Sequence, residues 1–429
     1  MRVLWFLDSE PPMVRQRLGK TGLNEASWHG GLAAALSRSG SVELVVACHA
    51  SEPFAPFRAE GVHYHEIGAD HARTGAERVI ERWRGLRRPT VDLRKCRALV
   101  RSVRPAVVHV HGTESALGLL AESSEAPVVV SIQGLLTICR IMDSRGLDRY
   151  LLRSLSPALL LRGSGYVFQR LELRSWSARE RRILAAARHV IGRTRFDADV
   201  VRVVNPKARY HHCDEVLRPE FWDCAWQPRL AVPGRVFTTV RGYARKGIGT
   251  LLGALALLRD AAQRDAPPPA ALPHLHVAGG FITAEGERAV RRAIRALRLE
   301  DCVTLLGTLD APRLAAELTK AAVFALPSHI DNSPNSLAEA MLVGVPCVAS
   351  AVGGVPSLVR DGSEALLVQD GDPFALAGAM GRLLTETELA ARLSGAARQQ
   401  ARRRHDPEAI CGRMLHIYEE VAAADAGVP

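Results

Sequence analysis

A chain of 429 residues, 47% hydrophobic and 24% charged, is too long for one ordinary core and suits two domains of roughly 200 residues. No run of about 18 apolar residues occurs, which excludes a spanning helix, and no ligand cluster recommends a metal site. A formal charge of +11 points to a polyanionic partner, an anionic membrane or an anionic substrate, and composition does not choose among them.

The opening MRVLWFLDSEPP has one basic residue and an acid at its eighth position, a poor signal peptide and a good first strand. Further short β-branched runs follow in order: VELVVAC, AVVHVHG, PVVVSIQG and RHVIGRT, then RVFTTV, LHVAGG, CVTLLG, AVFALPS, PCVAS and EALLV. Helical patterns separate them, which predicts parallel sheets covered on both faces. Between the two series, residues 205–234 carry Pro206, Pro219, Pro228 and Pro233 and read as an interdomain connection. Eight cysteines without a Cys-x-x-Cys pair indicate reduced thiols in a cytoplasmic protein. The expected fold is α/β, with two Rossmann-like doubly wound parallel-sheet domains facing across a cleft. Ligands in such sheets bind beyond the carboxyl ends of the strands.

One stretch, PSHIDNSPNSLAEAMLVGVPCVASAVGGVPSLVRDG from Pro327, places Asp331 before a helix start and Glu339 one turn inside it. Ser333 is the expected N-cap and Pro334 the first helical residue, with Gly344 closing the helix. The amides of Asn335, Ser336 and Leu337 would face an anion such as a diphosphate. An acid so placed can accept both hydroxyls of a ribose. Gly353 and Gly354 read as a turn that also offers amides to an anion.

This stretch resembles the E-x7-E signature of the retaining glycosyltransferases of family 4, which have two-domain GT-B architecture. The resemblance implies that Glu339 holds the donor ribose and Asp331 lies by the transferred sugar. The first acid departs from the family's usual Glu by one methylene. VRGYARKGIGTLL resembles the family's R-x4-K-G segment, which makes Arg241 and Lys246 the cations that meet the diphosphate. LHVAGG, with Gly279, and VTLLGTLD resemble strands around the base. HDPEAICGRMLHIYEEV resembles a C-terminal helix crossing back to the first domain.

In the first half, VVHVHGTES resembles an H-x-H strand end, with His109 or His111 facing the ligand. SIQG places Gln133 where the family often has a catalytic-region His. The set SIQG, IGRTRFDAD and DEVLR is similar to polysaccharide-forming members, and it implies exopolysaccharide, capsule or lipopolysaccharide assembly. Arg193, Asp197, Glu215 and Arg218 become candidates for acceptor binding or for shaping the hinge, with Arg193 and Asp197 alternatively a structural pair. In TGLNEASW, Gly22 would allow close approach to a phosphate. The implied domains are 1–210 on the acceptor side, a linker at 211–234, a donor domain at 235–405 and the returning helix at 406–429.

The implied activity is transfer of a sugar from a UDP- or GDP-sugar to a hydroxyl of a glycan or lipid-linked acceptor, with no cofactor, metal or nucleic acid. Arginine-rich segments mixed with Trp83, Tyr150, Tyr166 and Trp176 suggest an anionic membrane surface as a further partner. A sugar-nucleotide epimerase on the same fold and a non-enzymatic polyanion-binding protein are the alternatives.

Overall fold

A computed structural model describes residues 1–20, 27–68, 91–142, 157, 166–240, 244–264, 271–280 and 284–426. The chain forms two compact units: Met1–Arg140, Arg170–Val216 and His405–Pro429 make the first, and Ile141–Gln169 with Leu217–Arg404 the second. No helix among the described residues is long and apolar enough to cross a membrane.

The first unit holds β1 (Arg2–Leu7), β2 (Glu43–Cys48), β3 (Phe57–Ala59), β4 (Val62–Glu66), β5 (Val107–His111), β6 (Val128–Ser131), β7 (His189–Gly192) and β8 (Arg209–His212). They form one sheet in the order β3-β4-β2-β1-β5-β6-β7-β8, in which only β3 runs antiparallel to its neighbour. The central strands are the continuous apolar runs of the sequence, and every residue of β5 is buried. The edges differ. Residues 57–66 make a short hairpin around Glu60 and Gly61, both at positive φ, as a tight two-residue turn requires. β8 reads RYHH, is only half-buried and lies within the stretch expected to be a connection.

The second unit holds β9 (Arg235–Thr239), β10 (His274–Ala278), β11 (Val303–Gly307), β12 (Val323–Leu326), β13 (Cys347–Ser350) and β14 (Leu366–Val368). Their order is β11-β10-β9-β12-β13-β14, all parallel. The change of direction away from β9 lies between β10 and β12, the kind of switch point beside which such sheets bind ligands. The units divide between Val216 and Leu217. The segment after that point is part of the second unit's packing rather than a free linker: Phe221 is fully buried. Trp226 donates its backbone N–H to Val343 O at 2.8 Å and its indole N–H to Ala321 O at 2.7 Å.

The helix Pro407–Ala426 belongs to the first unit. Its Tyr418 hydroxyl accepts from the Trp5 indole at 2.8 Å and lies 2.8 Å from His109 Nδ1. Burial of Trp5 and Tyr418 thus joins the first strand to the last helix with both polar tips satisfied.

Candidate functional site

In the second unit, β12 ends at Leu326 and the helix that follows runs from Asn335 to Val343. Pro334 occupies the N-cap position with no side-chain cap, so the helix starts one residue later than Ser333 capping would give. The carbonyl of Pro334 accepts from the amides of Leu337 at 3.0 Å and Ala338 at 3.1 Å. Leu337 is therefore not an anion donor, which corrects its expected role. Asn335 and Ser336 keep their first-turn positions in the helix. Gly344, at φ 90°, ends the helix by donating to Ala340 O at 2.9 Å.

The loop before this helix is pinned from two sides. Lys246, at the end of the short turn Ala244–Lys246 after β9, donates Nζ to Asp331 Oδ2 at 2.7 Å. Ser328 Oγ donates to the same oxygen at 2.8 Å. Behind them, Gly354 N–H donates to the Asp331 carbonyl at 2.9 Å. A Cβ on Gly353, at φ +50°, would sit 2.1 Å from that carbonyl oxygen, so only glycine fits. The Val-Gly-Gly turn thus serves the loop's backbone.

Glu339 is one turn inside the helix, with a side chain 9% exposed. Arg218 grips it with two parallel hydrogen bonds, Nε to Oε1 at 2.7 Å and a terminal nitrogen to Oε2 at 2.8 Å. Arg218 also stacks over the Phe221 ring at 4.7 Å. Burial works against its charge, yet the Glu339 hydrogen bonds outweigh it and its pKa rises above the ordinary arginine value. Arg218, a candidate for acceptor binding or for shaping the hinge, is thus paired with Glu339 of the helix start.

Gly279 has a different role from the expected ligand contact. Its amide donates to Gly307 O at 2.7 Å, and a Cβ there would meet Val240 O at 1.9 Å. It is a close-packing glycine of the sheet end. Arg241 and Gly22 lie outside the described residues, as do Trp83 and Tyr150.

The first unit gathers a second set. His111, Gln133, Arg193, Asp214 and Glu215 line a cavity of about 20 Å³ at the carboxyl ends of β5, β6 and β7, large enough for about one water. Arg193 pairs with Glu215 at 2.6 Å and donates to the Gln133 carbonyl at 2.9 Å. Asp197 serves backbone groups. It accepts from the amides of Arg193 and Thr194 at 3.0 and 3.2 Å and completes a capping box for the helix Arg195–Val204, a structural role.

His109 and His111 are both buried and their rings stack at 3.8 Å. His109 has partners at both nitrogens, Tyr418 and Ser131. Burial pushes its pKa down to about 3, and burial with the neighbouring histidines His109 and His29 holds His111 well below the usual range. Both are neutral imidazoles near pH 7, and both line that cavity.

Sequence reasoning missed His329 and Asp370, which approach to 2.5 Å. His329 stands two residues before Asp331 in the same stretch, a readable signal. Asp370 is 41 residues further on and carried none.

Residues 229–386 match the family model described as glycosyl transferases group 1. The D-inositol 3-phosphate glycosyltransferase of Xylanimonas cellulosilytica is 36% identical over 150 residues, 34% of this chain and 35% of that protein. The amylovoran biosynthesis glycosyltransferase AmsK of Erwinia amylovora is 28% identical over 173 residues, 39% of this chain and 40% of that protein. The chain thus spans 35% and 40% of the length of these curated relatives. Among solved structures, the sucrose-phosphate synthase of Thermosynechococcus elongatus superimposes with a TM-score of 0.69 at 19% identity, covering 99% of this chain and 100% of its own. HepE of Anabaena in complex with UDP and glucose does so with a TM-score of 0.63 at 15% identity, covering 98% and 100%. At these identities the likeness is one of fold, and that fold is GT-B.

Proposed function

We propose that this chain, whose residues 229–386 form a glycosyl transferases group 1 segment on a GT-B fold, is a retaining glycosyltransferase. It moves a sugar from a UDP- or GDP-sugar to a hydroxyl of a glycan or lipid-linked acceptor. The observation that carries this reading is the arrangement of two ion pairs around one helix start. Lys246–Asp331 and Arg218–Glu339 lie on either side of Asn335, beyond the end of β12 in the parallel sheet. The description of HepE as a complex with UDP and glucose supports a nucleotide sugar, and that of AmsK supports polysaccharide assembly.

Each residue has a task in this reading. Glu339, oriented by Arg218, accepts the ribose hydroxyls. Lys246 and the first-turn amides face the diphosphate, where charge grows as the bond from the anomeric carbon to the phosphate oxygen breaks. Asp331 faces the transferred sugar. The acceptor oxygen forms the new bond on the same face, and its proton passes to the departing phosphate. Lysine and amides neutralise the leaving group, so the reaction needs no cofactor. His111, Gln133, Arg193 and Glu215 of the first unit serve the acceptor side.

The Glu339→Gln variant tests the donor assignment, because it keeps the shape and removes the charge. Calorimetry should show donor affinity lowered by about 1.5–3 kcal/mol for each charged hydrogen bond lost. Unchanged affinity would sink the ribose role. With saturating donor, Lys246→Ala should lower the maximal rate more than Lys246→Arg, since the interaction strengthens in the transition state. NMR of the product should show the donor's anomeric configuration retained, and inversion would remove the retaining assignment.

A further inference from the structure

One buried histidine shows how such a side chain can be satisfied at both nitrogens. His109 is the measure: fully buried, with hydroxyls 2.8 and 2.6 Å from its two nitrogens. His329 breaks that pattern. Its side chain is 1% exposed, and Nδ1 lies 2.5 Å from Asp370 Oδ1, just beyond β14. Its Nε2 is buried and has no hydrogen-bond partner among the described residues.

The position of that nitrogen matters. The backbone N–H of His329 donates to Arg245 O at 2.7 Å, one residue before Lys246. The neighbouring Ser328 holds Asp331 Oδ2. His329 therefore sits in the backbone link between the diphosphate cation and the sugar-side acid. A carboxylate accepts, so Asp370 holds a proton on Nδ1, and the neutral ring then carries its lone pair on Nε2. A lone pair needs a donor. Ionised phosphate oxygens offer none, whereas every free sugar hydroxyl does.

We propose that His329 recognises the transferred sugar by accepting one of its hydroxyls at Nε2, and that Asp370 is the positioning residue that fixes its tautomer and ring. A sugar hydroxyl satisfies a buried polar atom that the protein itself leaves without a partner. Since Nε2 is covered, contact requires a local adjustment of the loop around Ser328–Asn332 when the donor enters. The inference rests on the donor-site reading above and goes beyond it, because neither residue belongs to the motifs that led there.

The test separates sugar from nucleotide. A thermal-shift panel of UDP- and GDP-sugars selects the one that stabilises the wild-type chain most. Calorimetry then compares that nucleotide sugar with its own nucleoside diphosphate. In His329→Phe and Asp370→Ala, affinity for the nucleoside diphosphate should stay within threefold, while affinity for the nucleotide sugar falls tenfold or more. Asp370→Asn keeps an acceptor for Nδ1–H and should retain wild-type affinity for both ligands within threefold.

Equal weakening of both ligands, or of neither, overturns the proposal while leaving the donor site standing. Failure of both His329→Phe and Asp370→Ala to fold marks the pair as structural and also overturns it. A panel in which no nucleotide sugar stabilises the wild-type chain overturns the donor reading itself, and this inference with it.

Discussion

Both sheets end their parallel strands in polar residues, yet they furnish those ends in opposite ways. Beyond β12 the second unit holds its charges through backbone geometry: Gly353 and Gly354 clasp the carbonyl of Asp331, and a helix start stands between two ion pairs whose cations, Arg218 and Lys246, keep 20% and 21% of their side chains exposed. Beyond β5, β6 and β7 the first unit closes over its charges. Arg193 and Glu215 have side chains only 6% and 10% exposed, around a space for about one water. A pair whose cation reaches solvent can exchange that partner for a ligand at smaller cost. A closed pair loses solvation and must be compensated internally. The second arrangement is suited to binding a charged substrate, and the first to holding a surface in shape.

The largest effect should come from opening the closed pair. Arg193→Ala leaves Glu215 buried without its cation and should cost about 3–5 kcal/mol in urea unfolding. Donor stabilisation should survive in that variant, because the proposed donor site lies in the other unit. Arg218→Ala should do the reverse for ligand binding, with no thermal shift from the donor. Identical behaviour of the two variants would erase the contrast between the units.

Next comes the backbone clasp. Gly353→Ala forces a left-handed conformation costing about 1–2 kcal/mol, beyond the overlap with the Asp331 carbonyl. Donor affinity should fall with it, and a variant with wild-type binding would show that the clasp is incidental.

The first unit should also carry its own acid sensitivity. His109 has a folded pKa of about 3 against an ordinary value of 6.5, so the unfolded chain takes up a proton that the folded chain refuses. Stability is whole above about pH 6.5 and should fall by about 1.4 kcal/mol per unit as the pH drops toward the folded value. Urea midpoints at pH 7 and 5 should therefore differ less in His109→Asn than in the wild type. An equal pH dependence in both would remove the histidine from the account.

The smallest effect concerns the surface. Arg84, Arg87 and Arg88, outside the described residues, fall in the arginine-rich first half of the sequence. If that surface meets an anionic leaflet, each arginine near it adds about 1 kcal/mol. Vesicle flotation should require anionic lipid, weaken at high salt and fall on changing all three to Ser. Equal recovery with neutral vesicles would reject membrane attachment and leave the transferase reading untouched.

What the sequence made legible follows from the range of the interactions. Central strands such as Val107–His111 are continuous apolar runs and declare themselves locally. The hairpin at Phe57–Glu66 and the strand Arg209–His212 are polar edges, whose pairing depends on neighbours rather than on their own pattern. The acid pair of Asp331 and Glu339 was readable because one helix start orders both. The grip of Arg218 on Glu339 spans 121 residues and left no local mark. Gly279 was misread for a related reason, since a glycine at a strand end looks the same whether a ligand or another backbone approaches it.

The union of Trp5 with Tyr418, 413 residues apart, has a consequence for the order of synthesis. A ribosome delivers β1 before the second unit, but the hydroxyl that satisfies its indole emerges after that unit. The second unit has its sheet complete in the nascent chain while the first still lacks its closing helix. Folding that ordinarily proceeds from the amino-terminal end here finishes at that end. Ribosomes stalled before residue 405 should therefore carry a protease-resistant second unit and a protease-sensitive first one.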